Sequence, residues 1–560
     1  MRRSIESAET EGAERAQPSE DGAVAAHSVS VAKWTLASRA TGFLRAAVVA
    51  AVLGPTYLGN TFQASNFLPN ITFEFFTGSL IAALLVPTLV RHVDLRDQGA
   101  VERIASGFMG AVLVGLLAVT VAAMLAGHLI VRLLALQAGS GAVAHAQQRV
   151  GLLLLFLLMP QVMLYAIAGT GAALMNAHGR FALAAAAPAL ENIGIMVTML
   201  TIAVVYGTGV SIETIRTPEV IVLGVGTTVA VAAHACAQWL GAYRLGIRLL
   251  PRAGWRDDDV RYILRRTLPS LGYGSLNAAR YLGVTVLANG VPGGVVAYYF
   301  GQNFFALPTA IGARPVALAL LPRLARLHQA RAWRLFHDEL MRGAGAVAFL
   351  TIPAAVAFLV LAYPLSHAAA FGHMAGPGGV SLLALALIGL APGVIGESGF
   401  VLATHASYAR GNADAPFLAM VLRMAVSMAG MIAASLAFTG KTVLLALALA
   451  MSLGNIVGVG YLGRRVEAGL TKGSERLAPA VLRSIVASIL MVGPAYLVAV
   501  ALSGWISWGP RYQIAIVIGG LVGVSGYVAL QSAWRSPELA FFREGMARVR
   551  LPGPGTEPLR

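Results

Sequence analysis

Long apolar runs, separated by short loops that hold most of the arginines, recur along this 560-residue chain. A membrane-crossing helix needs about 20 largely apolar residues. Backbone amides in hydrocarbon must be satisfied within their own segment, so such runs fold as helices. Reading for them places helices near 31–53, 64–90, 107–136, 149–175, 181–207, 219–243, 262–289, 294–322, 343–368, 379–408, 414–438, 442–463, 479–503 and 512–534. The pattern predicts an all-α polytopic membrane protein with about fourteen spans. Pro160, Pro188, Pro269, Pro308 and Pro315 lie inside these runs, where each removes a backbone donor and predicts a kink.

The charge supply agrees. Charged residues make up 12% of the chain and hydrophobic ones 57%, too few charges to coat a water-facing surface. The formal charge of +16 sits in loops, so it reads as topology and not as a nucleic-acid footprint. With the N-terminus inside, Arg91, Arg96, Arg103, Arg180, Arg244 to Arg261, Arg323 to Arg342, Arg410 and Arg464 to Arg476 fall in cytoplasmic loops. Outside loops hold only Arg149, Arg216, Lys441 and Arg511, which predicts cytoplasmic N- and C-termini. Cys236 is the single cysteine, so no disulfide forms within the chain.

Residues 1–28 are polar and acidic and read as a disordered cytoplasmic tail. Ala83–Arg91 resembles Ala319–Arg326, and Asn176–Arg180 resembles Tyr408–Asn412, both at an offset of about 232 to 235. Such spacing predicts two pseudo-repeated six-helix bundles, residues 29–246 and 247–470. Two additional helices over 471–535 and a cytoplasmic tail over 536–560 complete the chain.

The same linkers carry a family resemblance. Ser38-Arg39-Ala40-Thr41-Gly42-Phe43-Leu44-Arg45, Asn60-Thr61-Phe62 through Leu68-Pro69-Asn70, Asn176 to Phe181 followed by Pro188 and Asn192, Leu321-Pro322-Arg323-Leu324, and Tyr408 to Pro416 resemble motifs of the MurJ/MviN group of the MOP superfamily, in the expected order. The resemblance implies a V-shaped pair of bundles around a cationic cavity. It implies a flippase that carries lipid II, an undecaprenyl-diphosphate-linked precursor, across the bacterial cytoplasmic (inner) membrane by alternating access. Membrane lipids and cell-wall synthesis proteins are the implied partners. Positions where the family carries charge are here Asn60, Phe73, Gly78, Asn303 and Ala306. Those departures leave open a flippase for another polyprenyl-linked glycan, or a non-transporting cell-wall scaffold.

A charge at membrane depth marks a candidate site. Arg45 lies roughly 20 Å from the inner end of the first helix at 1.5 Å per residue, and Arg280 lies two-thirds along its counterpart. The two are expected to face each other across the cleft. Guanidinium stays charged and binds phosphate oxygens in pairs, which suits a diphosphate. The candidate substrate-binding set is Arg39, Arg45, Arg280, Asn60, Gln302 and Asn303. Glu74, Glu191 and Glu397 are the intramembrane acids, read as ion-coupling or charge-pairing groups. Arg423 has no evident partner in the sequence. The chain holds no nucleotide loop, zinc spacing or nucleophile elbow, so neither enzyme chemistry nor a cofactor or metal is expected.

Overall fold

The computed structural model describes residues 33–75, 81–137, 141–265, 267–507 and 509–550. Expectations for residues 1–28, for Gly78 and for the Pro269 side chain lie outside the described residues. Every regular element among the described residues is helical. Among the described residues, twelve helices are long and apolar enough to cross a membrane. Two of the expected fourteen spans fall outside that set. One covers the helix Tyr57–Phe73, the π segment Ile81–Leu85 and the helix Val86–Asp94; the other is Thr267–Ala288, whose Asn277 and Arg280 make it more polar.

The helices that build the site are α1 (Lys33–Leu53), α2 (Tyr57–Phe73), α3 (Gln161–Ala177), α4 (Pro188–Val205) and α5 (Thr217–Tyr243) in the first half. The second half supplies α6 (Thr267–Ala288), α7 (Gly294–Pro308), α8 (Pro377–Ala409), α9 (Asp414–Ala437) and α10 (Thr442–Glu467). Helix α5 packs on α4 and α3, and α10 packs on α8 and α9. Two further helices, α11 (Leu477–Trp505) and α12 (Arg511–Ala533), pack on each other. They join the rest mainly where α11 meets Trp333–Val360, and most of their surface faces outward.

The prolines break the helices where a lost donor requires it. Pro160 separates Gly141–Leu158 from α3, and Pro188 opens α4. Pro308 closes α7 ahead of a π segment at Thr309–Ala313, after which Arg314 and Pro315 start the next helix.

Helix ends repeat as well. Arg96 and Arg331, 235 positions apart, both adopt left-handed backbone with φ of 55° and 53°. Each sits in the same closure, Asp97 N–H to His92 C=O and Ala332 N–H to Leu327 C=O. Gly179 and Gly411, 232 positions apart, have φ of 70° and 69° and close with Arg180 to Met175 and Asn412 to Ser407.

Close approach of α8 and α10 depends on Gly389, Gly393 and Gly396. A β-carbon at any of them would fall within 2.8 Å of Ala448, Ser452 or Asn455. This contact sets Asn455 inside the second half.

One end of the molecule collects arginines. Arg91 pairs with Asp259, Arg103 with Asp257 and Arg252 with Glu102. The Asp257 carboxylate also accepts from the backbone N–H of Asp259 at 3.0 Å, so the acidic triplet caps the helix Asp258–Arg265 amid basic loops.

The candidate site: a cavity between the two halves

A cavity of about 460 Å³ lies between the halves, within the size range of ligand pockets. Its first-half wall is Arg39, Phe43 and Arg45 of α1, Gln63, Asn66 and Phe67 of α2, and Ile195 of α4. Its second-half wall is Tyr281 of α6 with Tyr299, Gln302, Asn303, Ala306 and Leu307 of α7. Gln63 and Asn66 share a face because residues three apart lie on one side of a helix. Phe67 packs its ring 5.5 Å from Tyr299 and 6.2 Å from Tyr281, and Phe43 packs 4.8 Å from Phe304.

The arginine-poor end of this cavity is sealed. Asn60 is fully buried and donates to the Val291 carbonyl at 2.8 Å, while its Oδ1 accepts from the Val295 N–H at 3.0 Å. It thereby caps the N-terminus of α7 from the other half. The Gly293 N–H reaches the Thr56 carbonyl at 3.2 Å, and Gln147 and Asn289 exchange two hydrogen bonds at 3.1 Å. Asn60 was expected to touch substrate. Instead it fastens the two halves together, because its amide is used at both ends.

Of the candidate substrate-binding residues, Arg39, Arg45, Gln302 and Asn303 line the cavity. Arg39 is exposed. Gln302 donates to the Tyr298 hydroxyl at 2.8 Å, and Asn303 donates to the Tyr299 carbonyl at 2.8 Å; their amide oxygens remain available. The Arg45 guanidinium opens onto the cavity and stands 3.7 Å from Glu191. Glu191 is buried behind it, held by the Tyr165 hydroxyl at 3.0 Å and by His234 Nδ1 at 3.0 Å.

Arg280 does not face Arg45. It is 1% exposed and turned into the second half, donating to Asn455 Oδ1 at 2.6 Å and Ser427 Oγ at 3.3 Å. The reason is helical geometry: one residue is a rotation of about 100°, and the neighbouring Tyr281 takes the cavity-facing direction. Arg423, partnerless in the sequence, shares Asn455 Oδ1 at 2.9 Å, pairs with Glu397 and lies 4.8 Å over the Phe400 ring. Glu74 stands apart, exposed at a separate cavity of about 680 Å³ within the first half. His405 bonds the Val401 carbonyl at 2.8 Å, a local contact within α8.

Sequence reasoning missed Tyr165, His234 and Asn455. Tyr165 and His234 lie 26 and 43 positions from Glu191, too far for any local pattern. Gln63 and Asn66 were also missed, although Gln63, Asn66 and Asn70 form a polar stripe at helical spacing in an apolar run. In chemical terms the cavity offers two guanidinium groups, four amides and aromatic faces. That set matches an anion carrying polar, sugar-like groups.

Comparison with known proteins agrees in fold and in sequence. "Probable lipid II flippase MurJ" of Vibrio cholerae serotype O1 is 23% identical over 90% of this chain and 94% of its own. A protein of the same description from Rhizobium tropici is 25% identical over 60% of this chain and 61% of its own. Among solved structures, "Lipid II flippase MurJ, inward closed conformation" superposes with a TM-score of 0.70 at 16% identity, covering 92% of this chain and 99% of that one. An inward-facing multidrug resistance MATE family transporter of the MOP superfamily gives 0.60 at 15% identity, over 77% and 95%. The profile described as "Lipid II flippase MurJ" matches residues 49–517, most of the chain, and this protein therefore belongs to the MurJ family.

Proposed function

We propose that this protein flips lipid II, a polyprenyl-diphosphate-linked peptidoglycan precursor, across the cytoplasmic membrane. Two bundles, residues 29–246 and 247–470, would alternate access to the cavity between them, with 471–535 as two added spans and both termini cytoplasmic. The observation that carries the reading is the cavity itself: Arg39 and Arg45 beside Gln63, Asn66, Gln302 and Asn303, sealed at the arginine-poor end by Asn60 and Gly293. The bias of arginine toward one end supports a cytoplasmic assignment for that end. A cavity closed at the other end then loads from the cytoplasm. The diphosphate meets fixed guanidinium charge while the polyprenyl chain stays in lipid. Phosphate contacts of this kind are among the stronger hydrogen bonds. Without a nucleotide-binding loop, an ion gradient or the membrane potential supplies the energy.

A second reading has one observation behind it. Asn303 and Ala306 stand where the family resemblance implies charge, and both line the cavity. A different polyprenyl-linked glycan would fit such a wall, with the same diphosphate anchor.

The test is complementation of a bacterial strain depleted of its own lipid II flippase. The wild-type chain should restore growth and Arg45→Ala should not, at equal membrane abundance. Full rescue by Arg45→Ala would contradict the mechanism. Competition between lipid II and other polyprenyl diphosphates for binding separates the two substrates.

A further inference from the structure

Two partners compete for the charge of Arg45. One is whatever enters the cavity, onto which the guanidinium opens; the other is Glu191, 3.7 Å away. At that distance the pair attracts but shares no hydrogen bond. Glu191 takes its hydrogen bonds elsewhere, from the Tyr165 hydroxyl on Oε1 and from His234 on Oε2, each at 3.0 Å. The titratable and charged groups facing Glu191 from the packed helices are thus Arg45 of α1, Tyr165 of α3 and His234 of α5. Arg45 can swing away without breaking a hydrogen bond to Glu191. Its departure nevertheless strips a buried carboxylate of its counter-charge, which is costly in a low dielectric. A proton on the Glu191–His234 pair restores neutrality, the usual outcome when a buried charge loses its partner.

We infer that Glu191 and His234 form a proton-binding site coupled to the cavity. When an anionic diphosphate draws Arg45 off Glu191, the pair takes up one proton from water and releases it when Arg45 returns. The inference rests on the diphosphate-binding reading above. No covalent bond changes except that of the proton: it leaves water, binds the pair, and goes back. The Tyr165 hydroxyl in turn accepts from Asn70 at 3.2 Å. Linkage is reciprocal, so diphosphate binding strengthens as pH falls. The effect reaches about tenfold per pH unit while the pair titrates.

The experiment uses the full chain in nanodiscs with farnesyl diphosphate as the probe. Proton uptake is read with a pH indicator in weak buffer, and affinity by calorimetry, between about pH 6 and pH 8. Wild type should take up about one proton more per bound probe than Glu191→Gln, the subtraction cancelling the probe's own titration. Affinity relative to that variant should rise toward low pH. Should Glu191→Gln not yield folded protein, Glu191→Met, which also removes the carboxylate, makes the same comparison. Equal uptake per bound probe in wild type and variant would overturn the coupling while leaving the cavity reading intact. If the probe binds neither wild type nor Arg45→Ala, the cavity reading fails and the coupling falls with it.

Discussion

Arg45 and Arg280 stand 235 positions apart, the offset at which helix ends repeat, yet their surroundings differ in kind. Arg45 borders a cavity, leans on one carboxylate at 3.7 Å and keeps its hydrogen-bonding edge available. Arg280 is enclosed, with Asn455, Ser427 and Asn277 around its guanidinium. Near it, Arg423 and Arg280 share one amide oxygen, and Glu397 is the carboxylate that balances them. The first cluster has a charge that borders an opening and makes no hydrogen bond to its carboxylate. The second has fixed charges that brace a bundle. A guanidinium at membrane depth therefore has no single meaning; its role follows from which side of the helix it leaves and what is already bonded to it.

The largest effect should come from breaking the braced cluster. Glu397→Gln leaves two guanidinium groups without their carboxylate, and losing one partner of a buried pair costs about 3 to 5 kcal/mol. Thermal unfolding followed by size-exclusion fluorescence should show a large loss of stability. An unchanged profile would mean that the second cluster is not a brace. Next comes Arg45→Ala, which removes charge-assisted bonds worth about 1.5 to 3 kcal/mol. Farnesyl diphosphate affinity should fall roughly ten- to hundredfold by that figure, with a stability loss smaller than that of Glu397→Gln, because a proton on the Glu191–His234 pair offsets the lost counter-charge. A stability loss without a binding loss would reverse the contrast between the two sites.

Asn60→Ala tests the seal that defines the cavity. It leaves the Val291 carbonyl and the Val295 N–H without their partner, at about 1 to 3 kcal/mol. On a Cys236→Ala background, a cysteine placed at Asn66 should react faster with an impermeant thiol reagent added from the arginine-poor side. No change in rate would show that Asn60 does not hold that end shut. The smallest effect is Arg280→Met. It replaces a buried ion with an apolar side chain of similar length and relieves repulsion with Arg423, so stability should move by about 1 kcal/mol or less. Probe binding should not change, and a tenfold loss would bring Arg280 back to the cavity.

Much of this arrangement was legible in the sequence because lipid imposes simple rules. Apolar runs gave twelve of the expected spans, and prolines marked breaks at Pro160, Pro188 and Pro308. The place of Arg45 within the first helix was readable from the apolar run. The direction of Arg280 was not, since one position around the helix separates Tyr281 in the cavity from Arg280 buried away from it. The roles of Asn60 and Glu191 were equally hidden. Each depends on partners brought close only by tertiary packing, Val291 and Val295 for one, Tyr165 and His234 for the other. Polarity at depth marked these residues; it did not reveal whether each would bind, brace or fasten.

The most direct test reconstitutes the protein in liposomes carrying a lipid II analogue labelled on its head group, and follows its accessibility from outside with a membrane-impermeant reagent. Wild type and Arg280→Met should move the head group across, while Arg45→Ala, folded and inserted to the same extent, should stay at the protein-free rate. Equal transport by Arg45→Ala and wild type would contradict the account.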